Sequence, residues 1–128
     1  MYKRQDDSNR RDKCYISVAE HIGDDSICGK VADSSFREKC YFWVAGEKGE
    51  VESCEEITEI HLRNKCYREV GIVTNDVNIC ELIIDDDFAS RNPKDECYLS
   101  IGIQTDDRSL CEKIILDESK QKCLDNTS

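Results

Sequence analysis

Residues Cys54-Glu55-Glu56-Ile57-Thr58-Glu59-Ile60-His61-Leu62-Arg63-Asn64-Lys65-Cys66-Tyr67-Arg68-Glu69-Val70-Gly71 form one complete copy of a unit that recurs along the chain. The unit reads C-x2-[VI]-x7-[KE]-C-Y-x2-[VI]-[AG]. Cysteines stand at 14, 28, 40, 54, 66, 80, 97, 111 and 123, so the successive steps are 14, 12, 14, 12, 14, 17, 14 and 12. A 26-residue period of this kind marks a tandem array. The neighbours of the cysteines repeat as well. Val31, Ile57, Ile83 and Ile114 each stand three residues after a first cysteine. Lys39, Lys65, Glu96 and Lys122 precede the second, and Tyr41, Tyr67 and Tyr98 follow it, with Leu124 departing in the last copy. Val44-Ala45, Val70-Gly71 and Ile101-Gly102 close the unit. A partial first copy obeys the same rule, with Lys13-Cys14-Tyr15 and then Val18-Ala19.

Within each unit the period is helical. Phe36, Cys40 and Val44 step by four, as do Leu62, Cys66 and Val70, which sets each triplet on one helix face. Cys28 with Val31, and Cys111 with Ile114, step by three on a second, shorter helix. Ser35 with Glu38, Asn78 with Glu81 and Ser109 with Glu112 have the spacing of a capping box. Gly46, Gly71 and Gly102 stand where a left-handed residue would end the longer helix. Alternation of period two is absent, which argues against strands. The expected fold is all-α: tandem disulfide-stapled αα-hairpins forming a short α-solenoid. Four such hairpins occupy 26–128, after a partial copy over 6–25. One unit is stretched by five residues within Asp85–Glu96, around the only proline, Pro93.

Composition narrows the function. The 128 residues carry 18 Lys+Arg against 28 Asp+Glu, a formal net charge of −10. Such an acidic chain repels a phosphate backbone, so nucleic acid is not an expected partner. No run of about 18 apolar residues is present to span a membrane. Apolar residues make up 38% and charged residues 36%, which leaves a thin core that needs staples.

Three chemistries compete for spaced cysteines. Zinc sites favour close pairs such as C-x2-C, whereas no two cysteines here lie nearer than twelve residues. Haem attachment, iron–sulfur and redox motifs are equally missing. Structural disulfides remain, and these persist in oxidising surroundings, so the expected location is extracytoplasmic, secreted or cell-surface. Two regular pairings are open. Across connectors, Cys14 would join Cys28, Cys40 would join Cys54, Cys66 would join Cys80 and Cys97 would join Cys111. Within units, Cys28 would join Cys40, Cys54 would join Cys66, Cys80 would join Cys97 and Cys111 would join Cys123, leaving Cys14 unpaired. The second is favoured, because the repeat phase then asks for a partner of Cys14 at position 2. Met1-Tyr2-Lys3-Arg4-Gln5 is what GTGTATAAGAGACAG, a common sequencing-library transposon end, encodes when GTG is read as a start. The expectation is an adapter artefact over 1–5 on a metagenomic gene fragment, with a lost upstream part able to carry further repeats or a lipid anchor.

Runs such as Arg11-Asp12-Lys13-Cys14-Tyr15 and Arg37-Glu38-Lys39-Cys40-Tyr41 resemble tandem cysteine-rich helical units of uncharacterised secreted or lipid-anchored archaeal proteins. The resemblance covers residues 14–124 and implies no activity. Of the remaining candidates, Tyr41, Phe42, Trp43, Tyr67 and Tyr98 are the expected interaction surface, weighed against plain packing. Asp85, Asp87 and Asp95 are a weak calcium set, with the opening spacing of an EF-hand loop but neither its third ligand nor its glycine. His21 and His61 have no partners at catalytic spacing. The expectation is a non-enzymatic protein-interaction or spacer module with no cofactor. The alternative is a metal-handling protein that uses thiolates for zinc or the acidic insert for calcium.

Overall fold

The computed structural model describes residues 2–84 and 92–128, with side chains from residue 9 onward. Its elements are α1 (Tyr2–Ile22), a 3₁₀ helix (Asp25–Lys30), α2 (Ser34–Lys48), α3 (Val51–Cys54), α4 (Ile60–Thr74), α5 (Val77–Cys80), α6 (Pro93–Thr105), a second 3₁₀ helix (Arg108–Lys113) and α7 (Asp117–Asp125). Among the described residues every regular element is helical, so the chain is all-α.

The first arm of each hairpin is one or two turns long, either a six-residue 3₁₀ helix or a four-residue α-helix. An arm that short orders several residues for little hydrogen bonding and does not stand alone in water. A bridge to the long helix holds it. Cys28–Cys40, Cys54–Cys66, Cys80–Cys97 and Cys111–Cys123 are bonded, with Cα atoms 5.5–5.8 Å apart. All eight bridged cysteines are fully buried, and Val31, Ile57, Ile83 and Ile114 three residues past each first cysteine are buried too. Closing a loop of a dozen residues restricts the unfolded chain by about 3 kcal/mol.

The invariant 14-residue connector has a local cause. Helices α1, α2, α4 and α6 end at Gly23, Gly49, Asn75 and Asp106, all left-handed with φ of 75°, 69°, 54° and 54°. The N–H of the next residue then donates back to Ala19, Ala45, Gly71 or Gly102, at 3.1, 3.2, 3.0 and 2.8 Å. This is the Schellman type of closure. Those next residues are Asp24, Glu50, Asp76 and Asp107, and the three aspartates also cap the following turn. They accept from the N–H of Ser26, Asn78 and Ser109 at 3.0, 3.0 and 3.1 Å. An αL residue thus turns the chain at all four connectors, and a capping aspartate follows it at three of them.

Two expectations are corrected here. Ser35, Asn78 and Ser109 lie inside their first turns, and Asp33, Asp76 and Asp107 do the capping. Gly46, Gly71 and Gly102 lie within helices rather than at their ends. Gly71 is small because a Cβ there would meet Cys97 Sγ at 2.9 Å and Cys80 Sγ at 3.6 Å. At Gly102 the same atom would lie 3.4 Å from Cys123 Sγ. Each of these glycines makes room for the next hairpin's bridge.

Hairpins are tied by a second recurring interaction. Two residues before the second cysteine, Asp12 accepts from the N–H of Ala32 and Asp33 at 2.9 and 3.2 Å. Glu38 accepts from the N–H of Thr58 and Glu59 at 3.2 and 3.1 Å and from the Thr58 hydroxyl at 2.7 Å. Asn64 accepts from the Ile84 N–H and donates to the Ile84 carbonyl, at 3.1 and 2.9 Å. Asp95 accepts from the N–H of Ile115 and Leu116 at 3.0 and 2.9 Å. Each acceptor reaches the loop of the following hairpin, whose N–H groups have no helix to serve them. Long helices pack in sequence, α1 on α2, α2 on α4, α4 on α6 and α6 on α7, and each also touches the next hairpin's short arm.

Burial raises the affinity of the Glu38 carboxyl for its proton, but the bonds from Thr58 and Glu59 outweigh it and hold the group below its ordinary value of 4.5. A depressed folded value contributes stability above the unfolded value, and that contribution is lost as the pH falls through the folded one. Urea midpoints measured from neutral pH downward are therefore expected to fall more steeply below about pH 4.5 for the wild type than for Glu38→Gln; parallel curves would refute the assignment. Asp95→Ala strands two loop N–H groups at a side chain only 1% exposed. It is expected to cost about 1–3 kcal/mol in the same assay. Gln121→Ala, at the equivalent place in α7 but exposed and bonded only to Asp125, is expected to change stability by less than about 0.5 kcal/mol.

Candidate functional site

Counting from each second cysteine locates the part of the surface that departs from the repeat. Three residues on stand Ser17, Trp43, Glu69 and Ser100, and six on stand Glu20, Gly46, Ile72 and Ile103. Trp43 is the largest side chain of the first set, Gly46 the smallest residue of the second, and they are one turn apart on α2. Beside them the surface sinks into a groove of about 500 Å³ that crosses α1, α2 and α4. Phe42 and Trp43 supply its aromatic wall and Val73 its apolar far side, while Glu20, Glu47 and Glu69 line it from the three helices. Phe42 packs against the main core, whereas Trp43 remains 41% exposed and Val73 58% exposed. Two further grooves, of about 400 and 380 Å³, have no aromatic lining.

Gly46 makes this groove possible. It is not among the left-handed glycines, and a Cβ built on it meets nothing within 4 Å. Neither backbone geometry nor packing demands glycine there, although glycine within a helix costs about 0.5–1 kcal/mol relative to alanine.

Of the five aromatics expected at the surface, Phe42 and Trp43 lie in the groove. Tyr67 and Tyr98 are 8% and 3% exposed and belong to the core cluster, with half-buried Tyr41 packed against it. Burial pushes the Tyr41 and Tyr67 phenols upward, reinforced by Glu56 and Asp25 beside the former and Glu55 beside the latter. The Tyr98 hydroxyl bonds to Glu81, whose carboxyl it holds low. Tyr98 thus ties α6 to the end of its own short arm, while Tyr41 and Tyr67 serve as packing residues.

The metal candidates fare differently. Asp85 and Asp87 lie outside the described residues. Asp95, the third calcium candidate, is buried with both oxygens accepting backbone N–H groups, so it is a tie between hairpins rather than a ligand. Eight cysteines are committed to bridges and cannot serve as zinc thiolates, while Cys14 is exposed and unbonded. Among the described residues, no group of three or more His, Cys, Asp or Glu is placed to hold a metal ion, and no helix is long and apolar enough to cross a membrane.

No protein-family model matches the chain, and no curated protein or solved structure shows significant similarity to it. Sequence reading found Phe42 and Trp43 but missed Glu20, Gly46, Glu47, Glu69 and Val73. The available signal was the break in the repeat at Trp43 and Gly46.

The two helical glycines make opposite predictions. Gly46→Ala is expected to raise stability by about 0.5–1 kcal/mol, because the new methyl meets only open space. Gly71→Ala is expected to lower it, because its Cβ would lie 2.9 Å from Cys97 Sγ. Thermal unfolding of both variants checks the pair, and a loss at position 46 would refute the account of that glycine.

Proposed function

We propose that this chain is a non-enzymatic, extracytoplasmic helical repeat, a short disulfide-stapled α-solenoid that acts as a protein-interaction or spacer module. The observation that carries the reading is the set of four buried bridges, one per hairpin. Bridges of this kind persist where thiols are oxidised, outside the cytoplasm or on a cell surface. Helices that pack mainly on their sequence neighbours spread residues over an elongated surface instead of gathering them around a deep cleft. Surfaces of that shape suit contact with another macromolecule better than transformation of a small molecule. Kinship with the archaeal cysteine-rich units noted above belongs to the same proposal.

The test is intact mass of protein isolated from an oxidising compartment under thiol-blocking conditions, before and after reduction. Four bridges predict a gain of about 8 Da on reduction, from two hydrogen atoms (two electrons and two protons) for each of the four bonds, with a single blocked thiol before it. Nine blocked thiols in the native protein, Cys14 and the eight others, with or without bound zinc, would overturn the reading.

A further inference from the structure

We infer, building on the interaction-module reading, that the groove over α1, α2 and α4 docks a basic side chain, arginine above all, presented by a protein partner. The wall is an indole left in water. Trp43 stands 41% exposed beside Phe42, and an indole face is the best aromatic platform for a guanidinium, which stacks on it and is attracted by its quadrupole. The rim has one sign. Glu20, Glu47 and Glu69 come from three different helices, so the charge belongs to the assembled groove and not to a single acidic run.

Nearby cations do not fill the place. Arg68 meets Glu69 at 3.2 Å but makes its shorter bond, 2.6 Å, to Glu96 of α6. The stem of Lys48 lies against Gly23 at the end of α1. An anion would meet three carboxylates, and an aliphatic group would offer nothing to Glu20 and Glu47. The chain's net charge of −10 draws basic partners from a distance. About 500 Å³ falls within the roughly 300–1,000 Å³ typical of ligand sites, enough for one long basic side chain and its adjoining backbone. Gly46 gives the third indication, since the fold does not require it and any larger residue would enter the space where such a side chain lies.

Trp43 is the only tryptophan, so its fluorescence reports this groove alone. The experiment titrates the full chain, with bridges intact, using a short blocked Gly-Ser peptide bearing arginines, and compares a peptide with citrulline in their place. The expected result is saturable change in emission, with binding at least about tenfold weaker for the citrulline peptide and weakened by added salt. Gly46→Leu is expected to keep or raise the melting temperature while losing about tenfold or more in affinity. Should that variant fail to fold, Glu47→Lys, at an exposed position, carries the same expectation of lost binding. Absence of saturable binding, equal affinity for arginine and citrulline peptides, or wild-type affinity in a folded Gly46→Leu or Glu47→Lys would overturn the inference. With four bridges demonstrated by mass, such a result removes the arginine site and leaves the module reading standing. Absent bridges would remove the module reading instead.

Discussion

One or two helical turns closed by a disulfide make about the smallest arm that a helical hairpin can have, and each of the four bridged hairpins is built on one such arm. The bridge is fully buried, so it supplies both the cross-link and the centre of each unit's core. That double duty constrains the neighbouring hairpin. The adjoining long helix must offer a small residue where the sulfur arrives, as Gly71 and Gly102 do at equivalent places. The staple and the packing between units are therefore one interaction viewed from two sides.

Polar ties complete the join. A carboxylate or amide on one long helix serves the loop N–H groups of the next hairpin, at Asp12, Glu38, Asn64 and Asp95. Buried loop N–H groups need a partner in any fold. Here the partner comes from the preceding hairpin, so an isolated hairpin would leave its loop unserved. The arrangement links local satisfaction of the backbone to the presence of a neighbour.

Much of this architecture was legible from the cysteines and the i, i+4 apolar spacing, because both report directly on which helix face is buried. The terminators were misread for a physical reason. Glycine serves both a left-handed turn and a close approach, and sequence alone does not separate the two at Gly71. The true stops, Gly23-Asp24, Gly49-Glu50, Asn75-Asp76 and Asp106-Asp107, recur at one phase of the repeat and were readable there. Glu38 has capping-box spacing from Ser35, yet its carboxylate reaches the next hairpin, a destination that local spacing does not contain. The groove was half visible. Phe42 and Trp43 stood out by type, whereas Glu20, Glu69 and Val73 join them only once three helices are side by side.

The bridges also decide how the molecule carries tension. More than half of the backbone between Cys28 and Cys123 lies inside closed loops. A pull on the two ends travels through the sulfur–sulfur bonds and bypasses that length. Even with every helix undone, the stretch between those cysteines extends to only about half its full contour, at about 3.3–3.6 Å for each residue left in the load path plus the span of the bridges. The same four bonds that let short arms fold thus also cap how far the chain can be drawn out.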